Sequence, residues 1–382
     1  MPTEVHLDDV RAWRRHLHRH PELSFHEFDT TDFIEERLRA FGLAPYRLAP
    51  TGVLADIGEG APRIALRADI DALPIDEATG APYASERPGS MHACGHDAHA
   101  AMLLGAARAL AAQPPGRGSV RLLFQAAEEL PPGGAQVLVK AGALAGVERV
   151  FGVHVDATLP LGRAEIGPGR QSANSDRFEI RLMGSGGHAS RPQETVDAVL
   201  MAGQLIVALQ SIVARSVDPL ASAVVSVGRV EAGRASNVIA GEARLFGSVR
   251  TFEPEVQAVV ERRLGELAEG VAQSFGGRAE LRYEPGYPSV LNAEDPAALF
   301  AQAAREVLGA DQVAKKLPEL GGEDFGFYAR EVPGAFLWLG SASPGRDFPH
   351  HSPHFDVDEG VLELGVRLWL RLVELALGPA AP

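Results

Sequence analysis

Three short runs, at 62–69 (PRIALRAD), 119–126 (SVRLLFQA) and 150–155 (VFGVHV), are apolar with little polar alternation. Between the first two lies an Ala- and Leu-rich stretch at 98–112, long enough for a helix and stopped by Pro114 and Pro115. Strands of this kind, separated by helices, form a mostly parallel sheet covered on both faces. After Pro288 the same style returns, with a helix to about Leu308, a strand at 335–339 and a helix from about 358 to 377. Residues 175–286 read differently. The run RFEIRLM at 177–183 alternates as a half-buried strand does, and Val196, Val199, Leu200, Ile206, Leu209 and Val213 follow at helical spacing. Strands at 223–230 and 237–249 come next, then a helix behind Pro254 with Val256, Val260, Leu264, Leu267 and Val271 on one stripe, then a strand at 278–283. That order is βαββαβ, the split-βαβ pattern.

The expected fold is therefore α/β. A domain with a mixed, mostly parallel sheet and helices on both faces is built from 1–174 and 287–382. An α+β domain of ferredoxin-like order is inserted at 175–286, and its uncovered sheet face is free to pair with a second copy. Two domains also suit 382 residues at about 150 per domain.

With 36 basic against 50 acidic residues the formal charge is −14, which repels a nucleic-acid backbone, and no basic run offsets it. No uninterrupted apolar run reaches the ~18–20 residues of a membrane helix, and the start MPTEVHLDDV has no apolar signal core. The expectation is a cytoplasmic protein with neither nucleic-acid nor membrane partners.

The 13 histidines cluster, and the sharpest cluster is MHACGHDAH at 91–99, where the one cysteine, Cys94, sits two residues from His96 with His92 and His99 on either side. A thiol and an imidazole held together in a turn before a helix supply two metal donors at once. Glu128 and Glu129 follow a strand, where open α/β sheets bind ligands, and suit a division into metal ligand and general base. Asp69 and Asp71 follow another strand, His154 ends a third, and His350, His351 and His354 follow a fourth through a long loop. Four strand ends that each deliver His, Cys, Glu or Asp point to a metal-dependent hydrolase. In the inserted domain His188 lies in the glycine-rich turn GSGGHAS, and Asn237 and Arg250 bracket a strand, with Arg250 suited to grip a carboxylate. There is no G-x-S-x-G elbow, Walker A or G-x-G-x-x-G motif. Cys94 beside a histidine also fits a thiol nucleophile.

Further segments extend the pattern: HLHRHPEL at 16–23, RADIDALP at 67–74, FQAAEE at 124–129, GGHA at 186–189, NVI at 237–239, SVRT at 248–251, GEDF at 322–325 and HSP at 351–353. With MHACGHD, this ordered set resembles peptidase family M20 of the aminoacylase and carboxypeptidase superfamily. The likeness is to its amidohydrolase branch of hippurate hydrolases, N-acyl-L-amino acid amidohydrolases and indole-acetyl-amino acid hydrolases. The resemblance implies a catalytic domain with two divalent metal ions (manganese, zinc, nickel or cobalt) and an inserted lid that forms a homodimer or homotetramer. It implies Cys94 as bridging ligand, with His96, Glu129, His154 and His351 completing the set, and Glu128 as general base. It implies His188 as the lid histidine that polarises the scissile carbonyl in a partner subunit, and Asn237 and Arg250 as holders of the substrate carboxylate. Asp71 occupies the position of the aspartate that stands behind the metal ligands. Ala126 and Ala240 stand where the family usually has proline. The implied reaction is hydrolysis of an N-acyl-L-amino acid, such as a hippurate-like substrate, to a carboxylic acid and a free amino acid. A cysteine-nucleophile amidase and a metallo-dipeptidase or carboxypeptidase are the competing readings.

Overall fold

A computed structural model describes residues 6–379, so residues 1–5 and 380–382 of the expected first domain lie outside it. The chain begins with α1 (Leu7–Arg19), α2 (Phe28–Ala40), β1 (Val53–Gly58), β2 (Pro62–Asp69), α3 (His96–Ala112), β3 (Ser119–Gln125), α4 (Gly134–Lys140) and β4 (Arg149–Pro160). It continues with β5 (Ala164–Glu165), β6 (Gly169–Ser172), β7 (Ser175–Met183), β8 (Gly187–His188), α5 (Ala198–Ser211), β9 (Ala223–Ala232), β10 (Val238–Ile239) and β11 (Glu242–Thr251). The last elements are α6 (Pro254–Ser274), β12 (Arg278–Tyr287), β13 (Val290–Asn292), α7 (Glu294–Leu308), β14 (Val313–Ala314), α8 (Gly326–Glu331), β15 (Gly334–Ala342) and α9 (Gly360–Leu377).

The described residues divide into two compact units, one within 6–171, 291–317 and 324–379, the other of 172–290 and 318–323. In the first, a seven-stranded sheet runs in the order β1-β3-β2-β4-β15-β5-β14. The β3–β2, β2–β4, β4–β15 and β5–β14 pairs are parallel; β1–β3 and β15–β5 are antiparallel. Strand β3 is buried along its whole length, which is why its sequence shows no alternation. Leu66, Leu122, Phe124, Phe151 and Leu337 from the strands pack with Leu103 and Leu104 of α3 and Leu368 and Trp369 of α9 in one core.

In the second unit the antiparallel sheet runs β12-β7-β11-β9, the ferredoxin-like arrangement. Its strands bury alternate residues, such as Phe178, Ile180 and Leu182 of β7, against Leu205 and Leu209 of α5 and Val260 and Leu264 of α6. Together α5 and the turn that follows it, Ala198–Ser216, are long and apolar enough to cross a membrane by composition, with one third of that window buried.

Two strand expectations are corrected. The run 237–249 is not one strand: Val238 and Ile239 pair with His188 and Gly187, and β11 begins only at Glu242. The break falls at Gly241, whose backbone approaches Gly186 so closely that a Cβ there would lie 2.8 Å from the Gly186 nitrogen. His154 does not end its strand either. It sits within β4, opposite Trp338 of β15.

Candidate metal centre

Helix α3 starts directly behind Cys94. Its N-cap, Gly95, has φ of +92°, and a Cβ there would lie 2.3 Å from Val155 Cγ2. Only glycine lets the turn close this tightly on β4. The result is Cys94 Sγ at 3.5 Å from His154 Nε2. Arg14 of α1, fully buried, donates to Asp97 of the first helical turn and to Asp356, each at 2.7 Å, and so anchors this end of α3.

Cys94, His96 and His154 hold ligand atoms within 4.8 Å of one another, and so do Cys94, Glu129 and His351. The thiol is common to both. Five side chains thus divide into two three-donor sets joined at one sulfur. His351 reaches its place through a left-handed backbone, φ +65°, which sets its Nε2 at 3.2 Å from Glu129 Oε1.

The free nitrogens face the right way. The Val155 carbonyl accepts from His154 Nδ1 at 2.7 Å and from His350 Nε2 at 3.0 Å, while the Val155 amide donates to His99 Nε2 at 2.8 Å. The main chain of one residue therefore fixes three imidazoles. His154 keeps its proton on Nδ1, and its Nε2 lone pair is turned to Cys94. Burial, then the neighbouring His99 and His350, hold its pKa well below the usual range, so it is neutral as a ligand must be.

His96 Nδ1 donates to the Asp71 carbonyl at 2.9 Å and lies 3.1 Å from Asp71 Oδ1, the support a metal-binding imidazole commonly has. Its Nε2 is buried with no hydrogen-bond partner, as is Glu129 Oε1. Burial opposes a charge on His96, yet Asp69, Asp71 and Glu129 carry its pKa up to about 10. The pocket is built for positive charge at that nitrogen. Orphaned donors, a thiol, imidazoles and a carboxylate together fit a pair of divalent ions.

Cys94 is unsuited to act as a nucleophile without a metal. Burial, followed by the Glu129, Glu128 and Asp69 carboxylates, pushes its thiol well above the usual range, the reverse of an activated cysteine. Glu128 is buried, and a carboxylate oxygen of it lies within 4.8 Å of a Glu129 oxygen and a His96 ring nitrogen. The turn that carries the pair is tightly held, since a Cβ on Gly134 would fall 1.8 Å from the Ala126 carbonyl oxygen.

Of the two histidines flanking Cys94-Gly95-His96, His99 is not a free donor of this centre. His99 Nδ1 donates to Asp69 Oδ1 at 2.5 Å, and its other nitrogen accepts from Val155, so both are engaged. Against the cost of burial, Arg67, His96 and His99 hold Asp69 well below the usual carboxylate range. His92 is buried with neither ring nitrogen hydrogen-bonded, burial drives its pKa down to about 4, and it joins none of the three-donor sets found among the described residues. The pairing of Asp69 with His99 escapes a sequence reading, because both nitrogens of a histidine look alike until its partners are known.

In the second unit, the β8–β10 ribbon sets His188 opposite Val238, with the Ala189 amide donating to the Asn237 carbonyl. His188 is exposed, and its Nδ1 accepts from the Ser190 amide at 3.1 Å, which leaves the proton on Nε2 as an outward donor. Arg250 lies on β11, half-buried, with Nη1 buried and lacking a hydrogen-bond partner.

A family profile described as peptidase family M20/M25/M40 matches residues 65–375. N-acetylcysteine deacetylase of Bacillus subtilis is 42% identical over 376 residues, covering 95% of this chain and 96% of its own. N-acyl-L-amino acid amidohydrolase of Geobacillus stearothermophilus is 45% identical over 291 residues, covering 75% and 79%. Among solved structures, a dinuclear metal-binding M20 peptidase of Bacillus subtilis superposes with a TM-score of 0.86 at 37% identity, covering 98% of this chain and 99% of its own.

Proposed function

The chain belongs to peptidase family M20/M25/M40 and is a hydrolase acting on amides, and from that premise we propose that it deacylates N-acyl-L-amino acids with two divalent metal ions. The products are a carboxylic acid and a free amino acid, and N-acetyl and N-benzoyl (hippurate-like) compounds are the substrates to try first. The observation that carries the metal dependence is the pair of three-donor sets sharing Cys94.

Cys94, His96 and His154 would hold one ion and Cys94, Glu129 and His351 the other, with Asp71 fixing the His96 ring. When bound, such ions lower the pKa of water and polarise a carbonyl. Glu128 takes the proton of the attacking water and returns it to the leaving amine. His188 Nε2–H donates to the oxygen on which charge develops, and Asn237 and Arg250 hold the substrate's carboxylate. His188 acts in a partner subunit of a homodimer or homotetramer formed by the inserted unit. The expected compartment is the cytoplasm.

The test is a panel of N-acetyl-L-cysteine, N-acetyl-L-methionine, N-benzoylglycine and a dipeptide, assayed after chelation and after return of manganese, zinc, nickel or cobalt. Loss on chelation, recovery with one metal and preference for N-acyl amino acids are expected. Turnover indifferent to chelator would overturn the metal reading, and preference for the dipeptide would overturn the substrate class.

A further inference from the structure

The segment 21–27 (PELSFHE) supplies none of the donors above, yet it reaches the Glu128–Glu129 loop by two routes. Ser24 Oγ donates to Asp71 Oδ2 at 2.7 Å, and that same oxygen accepts the Glu129 amide at 2.9 Å. Glu27, fully buried at the start of α2, accepts the Phe25 amide at 3.0 Å and the Ala127 amide at 2.8 Å on one carboxylate oxygen.

Ala127 is itself buried and has φ of +52°, a left-handed conformation that costs alanine about 1–2 kcal/mol. Its carbonyl accepts the Gly134 amide at 2.8 Å. The end of α2 that presents Glu27 is fixed in turn, since Thr31 Oγ1 donates to the Glu27 carbonyl and accepts the Gly52 amide at 2.9 Å.

The loop is therefore clamped on both sides of Glu128, at the Ala127 amide by Glu27 and at the Glu129 amide by Asp71. Without Glu27 the Ala127 amide would be buried with no acceptor, and the strain at φ +52° would be opposed only by the Gly134 hydrogen bond to the Ala127 carbonyl. Return of Ala127 to negative φ turns the following peptide. With Glu129 still tethered, Glu128 takes up the rotation.

We propose that Glu27 is a positioning residue for Glu128, holding the left-handed turn that aims its carboxylate. This rests on the reading of Glu128 as the proton-transferring base.

The experiment measures kcat, KM, bound metal per chain and Tm on whichever N-acyl amino acid the wild type hydrolyses. The variants are Glu27→Leu, Glu27→Gln, Glu128→Gln, and E27L combined with either E128Q or A127G. E27L is expected to lower kcat by about tenfold or more, with KM and metal content little changed. E27Q keeps an acceptor oxygen and retains near wild-type kcat. Glycine enters positive φ freely, so A127G recovers much of what E27L loses. On the E128Q background E27L adds little, because the residue it acts through is already disabled.

A lower Tm with kcat intact would reduce Glu27 to a structural role and overturn the inference. So would metal loss in E27L, full additivity with E128Q, or no recovery with A127G. Wild-type kcat in E128Q would remove the base reading and the inference with it. A disabled E128Q beside a fully active E27L would remove the inference alone. If E27L does not fold, Glu27→Asp replaces it throughout. It keeps the carboxyl group but withdraws the acceptor by about 1.5 Å, and the same fall in kcat is expected.

Discussion

Burial pushes the Glu27 carboxyl up to about 7, and the nearby Asp71 charge adds to the effect. Between its ordinary 4.5 and about 7 the folded protein keeps a proton that the unfolded chain has released. Stability from this group is thus full below about 4.5 and falls as pH rises toward 7. Denaturant unfolding of chelated protein should show the wild type losing ground to E27Q across that window, by at most about 3 kcal/mol. A gap that does not change with pH would contradict it. Arg250 has a different signature. Its Nη1 lacks a partner and burial lowers the guanidinium's pKa, which supports the proposed grip on a substrate carboxylate. Arg250→Leu should raise KM by about tenfold or more and leave kcat nearly unchanged; a fall in kcat at constant KM would argue against carboxylate binding. The structure brings together Cys94, His96, Glu129, His154 and His351, the set that the family resemblance implied; four of them sit in short runs rich in His, Cys or Glu, whereas His154 stands in an apolar strand that gives no local signal. Glu27 was not legible in sequence, since its partner is a main-chain amide 100 residues away, which leaves no side-chain trace.

Helix α3 and strand β4 meet at Gly95, and that contact sets the distance between Cys94 and His154. Gly95→Ala would place a methyl 2.3 Å from Val155 Cγ2 on a backbone at φ +92°. The expected outcome is a loss of about 2–4 kcal/mol in unfolding free energy together with weaker metal retention, read by denaturant titration and metal analysis. Unchanged stability would show that β4 yields more readily than its burial suggests. The strands of the first unit were readable from their unbroken apolar runs, and α6 of the second from its stripe; on α5 the expected stripe fails, since Val199 and Leu200 are exposed while Met201, Ala202 and Leu205 face the core. Element ends were not readable. Strand β4 outlasts its apolar stretch because β15 pairs with it as far as Pro160, and Gly241 divides a run whose side chains would have suited one strand.

The second unit carries apolar side chains to both sides of α5: Leu205 and Leu209 inward, Leu200 and Val207 exposed. If copies of this unit pair, sedimentation should give a dimer or tetramer, and Leu200→Asp with Val207→Asp should yield monomers with much reduced kcat. A fully active monomer would exclude a partner's His188 from the reaction. The split-βαβ order was legible because alternating strands and the stripe of α6 are local signals. The first unit's closure was less so, since it depends on segments far apart in the chain. That arrangement has a consequence for how the protein is made. Residues 172–290 form most of one compact unit in a single run of chain, so most of its partners are present once Val290 has been made. Strand β4, carrying His154, must wait for β15 to cover its second edge, and Glu129 must wait for His351. If two ions bind as proposed, a nascent chain halted between these points would offer the set of Cys94, His96 and His154 and lack the other, so the second ion would be taken up only after His351 has emerged.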